Sequence, residues 1–126
     1  MPKIKIDDLL GVKYTHNGRS LKDGFDCYGL AIEVSKRYGH QLPDEDYFKS
    51  STRNFGKCRD IGIKQVSVKK VEEPQKEGDI ILFKSSSVLN HIGIYIGNSS
   101  YIHCDKHGVH ICKLGNRDIG VIYTWL

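Results

Sequence analysis

A chain of 126 residues is long enough to bury a core of its own and reads as one domain over residues 1–126. Hydrophobic residues make up 39%, charged residues 27%, and the net charge is +4, the balance of an ordinary globular protein. The charge is spread out, Lys69–Lys70 being its densest basic patch, so no nucleic-acid footprint is expected, and the longest apolar runs are too short to span a bilayer.

The chain opens on "MPKIKIDDLLGV", which lacks the apolar centre and small-residue cleavage site of a secretory signal. The expectation is a protein cytoplasmic as synthesised, reaching any other place by a different route. Four cysteines (Cys27, Cys58, Cys104, Cys112) are too few and too unevenly spaced for a disulfide scaffold, and reduced thiols are the default reading.

In "GFDCYGLAIEVSKRYG", residues Cys27, Leu30, Ala31, Val34 and Tyr38 recur at helical spacing and predict one buried stripe. Asp26 is a natural N-cap, Gly39 a natural C-terminal stop, and Pro43 forbids continuation. A second helix is expected from the acidic "PDEDYF" to about Gly56. Beyond it the period changes to two. "KQVSVKKV", "GDIILF", "HIGIYIG", "SYIHC", "GVHICKL" and "GVIYTWL" are short β-rich runs separated by "SSS", "GNSS", "DKHG" and "LGNRDIG". Tight turns between successive strands predict an antiparallel meander. The fold class is α+β, N-terminal helices packed on an antiparallel sheet of about five to six strands.

If Asp26 caps the helix, Cys27 lies in its first turn, where free N–H groups and the macrodipole favour a thiolate. From position alone the commoner reading is a small apolar residue heading the stripe. His91 and His103, in neighbouring strands, shift that balance, because a nucleophilic thiol needs a base and the base needs a partner to fix its tautomer. Register is the difficulty. A plain two-residue "GNSS" hairpin sets Ile94 opposite His103 and puts His91 on the other face, so a shared site requires a one-residue offset, a bulge, or His91 outside the regular strand.

"GFDCYGL", "EGDIILF", "NHIGIYIGNSSYIHC" and "GVHICKL", in this order, resemble the NlpC-type cell-wall peptidases, papain-like cysteine hydrolases, over most of the chain. The stretch "GRSLKDGFDCYGLAIEVSKRYGHQLPD" is most similar to phage- and prophage-borne members, whose domains accompany the tail. The resemblance implies cleavage of peptidoglycan stem peptides, typically between γ-D-glutamate and a diamino acid, through a thioester, with no metal or organic cofactor. By position it implies Cys27 as nucleophile, His91 as general base and His103 as the residue orienting it. Tyr14, Asp26 and Tyr28 would line the substrate site, and phage tail proteins are candidate partners. Two positions depart from the family pattern: Tyr28 stands where serine commonly follows the nucleophile, and Asn17 where glycine is usual.

Three other readings use the same residues. A same-fold acyltransferase or deamidase would act on a protein target, and a non-catalytic tail component would only bind cell wall. A metal site would draw on His103, Cys104, His107, His110 and Cys112 in "HCDKHGVHIC", with Cys104 and Cys112 able to meet on one face, although the spacing matches no standard zinc unit. His16, His40 and Cys58 read as surface or packing residues.

Overall fold

The computed structural model describes residues 2–44, 66–86 and 88–126. The second helix expected before Gly56, and Cys58, lie outside the described residues. A two-stranded sheet pairs β1 (Arg19–Ser20) with β2 (Gly24–Phe25) and leads into α1 (Cys27–Arg37). A six-stranded antiparallel sheet follows, built from β3 (Val68–Val71), β4 (Ile80–Ser85), β5 (Val88–Gly97), β6 (Ser100–Asp105), β7 (Gly108–Lys113) and β8 (Ile119–Trp125).

The strand order is β3-β8-β4-β5-β6-β7. β4 to β7 form the expected meander, but β8 returns to lie between β3 and β4 rather than extending the sheet past β7. Closing against β4 buries Ile122, Tyr123 and Trp125, which an edge position beyond β7 would leave half open to water.

The helix forms where the pattern places it. Asp26 caps it with extended backbone, its Oδ1 accepting from the Gly29 N–H at 2.6 Å. At the other end the Gly39 N–H donates to the Lys36 carbonyl and the His40 N–H to the Ser35 carbonyl, both at 2.9 Å. This paired closure needs a left-handed residue, and Gly39 has φ 87°. Lys36 and Arg37 end the helix with the charge its dipole favours. Arg37 also reaches Asp8 with two bonds of 2.7 and 2.9 Å, tying the N-terminal segment to the helix and holding the Asp8 carboxyl below the usual range.

One face of the sheet takes the helix. Ile80, Leu82, Ile92, Ile94, Ile102, Cys104, Tyr123 and Trp125 pack there with Leu30, Ala31 and Val34. Burying such side chains contributes roughly 1.5–3 kcal/mol each before conformational entropy is set against it. The reverse face carries a smaller cluster of Ile81, Phe83, Tyr101 and Ile122, with Tyr95 and Cys112 packed on it. Both faces are therefore apolar over the middle strands, which is why "GDIILF" reads as a continuous run and not an alternation.

Candidate active site

The β5–β6 hairpin decides whether the two histidines can meet. Asn98 and Ser99 form its two-residue turn, both left-handed with φ 57° and 56°, between paired Gly97 and Ser100. Continued without interruption, that pairing would set Ile94 opposite His103. Instead the register shifts between Tyr95 and Gly97, with Ile96 as the extra residue and Gly97 left-handed at φ 87°. Ile94 then faces Ile102, so His91, Gly93 and His103 share a face. A second bulge, between the Phe83–His91 and Lys84–Leu89 pairs, makes His91 the first residue of the regular ladder.

The consequence is a buried imidazole pair. His91 Nε2 lies 2.7 Å from His103 Nδ1, the rings nearly perpendicular at 82°. His91 is 7% exposed and His103 1%. Burial first, then the neighbouring charges of His110 and Arg117, push His103 down to about 4, against the opposing pull of Asp105. His103 is therefore neutral near pH 7, with one ring nitrogen a donor and the other an acceptor. Its Nε2 lies 3.3 Å from Cys112 Sγ, which extends the line His91–His103 to a sulfur on β7.

Cys27 is the first residue of α1, 7% exposed, against a helix terminus whose dipole favours negative charge. The helix lies on β5 and β6, the strands that carry His91 and His103. Cys104, next in sequence to His103, is fully buried and its thiol donates to the Phe25 carbonyl at 3.2 Å. Burial first, and then the nearby Cys27 sulfur, push the Cys104 thiol up to about 12. Cys104 is thus protonated near pH 7.

The segment before the helix is locked by a buried charge. Asp26 Oδ1 accepts from Arg19 Nη1 at 2.8 Å as well as from Gly29, and the same Nη1 donates to the Gly18 carbonyl at 2.9 Å. Burial works against the Arg19 charge, but Asp44 and Asp26 outweigh it and raise its pKa. Gly18 and Gly29 let this loop lie on the helix, since a Cβ at Gly29 would overlap the Gly18 carbonyl oxygen. Asn17, standing where glycine is usual, is left-handed at φ 58°, a conformation asparagine tolerates better than most residues.

The three expected substrate-site residues separate. Tyr14 is 40% exposed and bridged to Phe25, two residues before Cys27. Asp26 and Tyr28 are both 0% exposed. Asp26 is turned to its cap and to Arg19, and the Tyr28 hydroxyl donates to the Pro43 carbonyl at 2.5 Å. Both side chains are buried. Tyr28 is part of the core because a side chain one residue after Cys27 points into the protein from the helix start.

Cys104 and Cys112, which could have met on one face, do not. Asp105 pairs with Gly108 around the Lys106–His107 turn, which sets Tyr101 opposite Cys112 and His103 opposite His110. Cys104 faces the helix and Cys112 the reverse side, with the sheet between them. His107 is an exposed turn residue, His16 is exposed, and His40 stacks on Trp125 at 4.2 Å. Sequence reasoning missed Arg19, which carries no periodic signal.

A family model described as the NlpC/P60 family matches residues 11–121. The chain belongs to the NlpC/P60 family. It is 33% identical over 97 residues to the murein DD-endopeptidase MepS/murein LD-carboxypeptidase of Escherichia coli K12, covering 76% of this chain and 44% of that protein. The chain thus spans less than half the length of that curated relative. Among solved structures, an NlpC/P60 family protein from Bacillus cereus is 25% identical with a TM-score of 0.65, covering 99% of this chain and 41% of the other. The NlpC/p60 domain of the peptidoglycan hydrolase SagA has a TM-score of 0.61 at 18% identity, covering 92% and 89%. These likenesses show a shared fold.

Proposed function

We propose that this NlpC/P60 domain hydrolyses amide bonds in the stem peptides of bacterial peptidoglycan, with Cys27 as nucleophile, His91 as general base and His103 as its orienting partner. The observation that carries the reading is the buried His91–His103 contact of 2.7 Å on β5 and β6, strands that touch the helix beginning at Cys27. A core has no use for two imidazoles joined edge to edge, whereas a thiol hydrolase needs one to hold the other. The names of the E. coli relative and of SagA, both peptidoglycan-cleaving, support the substrate class.

The steps follow from the donors. His103 Nδ1 accepts the His91 Nε2 proton, which leaves His91 Nδ1 to take the proton of the Cys27 thiol. Sγ attacks the carbonyl carbon, and the oxygen's negative charge is met by the backbone N–H of Cys27 at the helix start. His91 returns its proton to the departing amine as the C–N bond breaks, forming a thioester. Water then adds, giving a proton to His91, and Sγ leaves. Proton transfer of this kind contributes about a hundred- to ten-thousand-fold. Tyr14, exposed beside Phe25, is the side chain placed to touch the substrate.

The bond is inferred to be that between γ-D-glutamate and a diamino acid, and the origin phage or prophage, on the likeness of residues 18–44 to such members. The domain would then meet the wall with a tail, with a lysis system or by specialised secretion. Digestion of purified sacculi and defined stem peptides, read by mass spectrometry, tests the whole reading. New amine and carboxyl termini at that bond are expected, with a loss of at least about a thousand-fold in Cys27→Ala. Products unchanged by Cys27→Ala would refute it, and cleavage at another stem-peptide bond would overturn only the assignment of the bond.

A further inference from the structure

The face of β6 and β7 turned away from the helix gathers His103, His110 and Cys112, whose ligand atoms all lie within 4.8 Å of one another. We propose that this cluster is a binding site for a thiophilic divalent cation of the zinc class, placed directly behind the catalytic imidazole pair. Two imidazole nitrogens and one thiolate are the donor set such an ion selects. Bonds of about 2.0–2.3 Å in a tetrahedral site place neighbouring ligand atoms about 3.3–3.8 Å apart. His103 Nε2 and Cys112 Sγ already stand at 3.3 Å.

The third ligand is oriented for the task. His110 Nδ1 lies 3.0 Å from the Gly108 carbonyl, which can only accept, so the ring proton sits on Nδ1 and Nε2 presents a lone pair. A backbone carbonyl holding the far nitrogen is the usual outer support of a metal-bound histidine. That Nε2 faces Asp105 Oδ2 at 3.6 Å, two electron-rich atoms which a cation would reconcile, although Arg117 at 3.4 Å from the same oxygen offsets part of the gain. His110 and Cys112 are only partly buried, so an ion can enter from solvent and keep a water as fourth ligand. His103 offers Nε2 because its Nδ1 is held by His91.

Occupancy has a consequence for the proton line. The cation takes the Nε2 lone pair of His103, and Cys112 releases its proton to solvent. The one remaining proton of the His103 ring must then sit on Nδ1 and be donated to His91 Nε2. His91 keeps its own proton on Nδ1, the atom that has to receive the Cys27 proton. The loaded domain is therefore switched off. This second part rests on the function proposed above; the site does not.

Cobalt(II) titration of metal-stripped, reduced Cys27→Ala chain separates the two, since that background removes the thiol the catalytic reading uses. One equivalent is expected to bind, with thiolate-to-cobalt charge-transfer absorption and strong tetrahedral d–d bands. Adding Cys112→Ser should abolish the charge-transfer band, and His110→Asn should weaken binding at least about tenfold. No thiolate band, a band that survives Cys112→Ser, or unaltered affinity in a folded His110→Asn chain would overturn the site. In the chain with Cys27 intact, zinc should block stem-peptide cleavage and His110→Asn should raise the blocking concentration about as much. Binding without inhibition would overturn the switch alone, and cobalt binding to a chain inert on sacculi would fault the catalytic reading and not the site.

Discussion

His103 makes acid stability of the fold a readout of the site. Its ring is held neutral by burial, so its pKa falls from 6.5 to about 4, whereas in the unfolded chain it titrates near the ordinary value. Between those limits the unfolded state binds the extra proton, so stability rises with pH across the window. The contribution is complete above about pH 6.5, is lost as pH falls towards about 4, and is flat below. At about 1.4 kcal/mol per pH unit, the gap between 6.5 and about 4 sets a ceiling of about 3 kcal/mol. His40, also depressed, by burial first and then by Lys76, slopes the same way, so the comparison must be with His103→Asn and not with a flat line. Urea unfolding between about pH 4.5 and 7.5 should give a steeper pH dependence for the wild type than for the variant, by up to about 3 kcal/mol across the range. Parallel curves would mean that His103 titrates alike in both states, and its ring would not be held neutral by burial.

Three further outcomes concern the residues around Cys27. Arg19→Ala orphans the buried Asp26 carboxylate and should cost about 3 kcal/mol, seen as a Tm lowered by roughly 10 °C; adding Asp26→Asn should recover part of it, and no recovery would sink the charge argument. Alanine normally gains about 1 kcal/mol over glycine in a helix, but Gly29→Ala drives a methyl into the Gly18 carbonyl, so a net loss of about 1–2 kcal/mol is expected and a raised Tm would contradict the packing. Under an alkylating reagent near neutral pH, Cys27 should react first of the three described cysteines and Cys104 last, since a thiol at about 12 is ionised in about one molecule in a hundred thousand; equal rates for Cys27 and Cys104 would count against an activated nucleophile.

The helix was legible because its signals are local. The stripe from Cys27 to Val34, the Asp26 cap and the Gly39 stop each act within one or two turns, and the structure places all three as the pattern requires. The strands were legible as β-rich runs between turn residues, but the place of β8 was not. Nothing within "GVIYTWL" records that it pairs with β4 and β3, because that pairing is fixed by what it buries and not by its own period. The burial of Tyr28 was hidden for a related reason, since the direction of its side chain depends on how the helix seats on the sheet.

The register of the β5–β6 hairpin is where sequence and chemistry part most clearly. Alternation alone sends His91 and His103 to opposite faces, and each local preference in "GNSS" agrees with the plain hairpin that would do so. The bulge at Ile96 overrides it. Keeping Ile94 against Ile102 and Tyr95 against Tyr101 matches large residue with large residue on both faces at once, and the one residue of slack is taken up at Gly97, which adopts φ 87° without strain. The slip is thus dictated by core packing across two faces, a constraint distributed over four strands. Its product is a contact between two particular nitrogens, so the proposed base acquires its partner as a by-product of how the sheet fills its core.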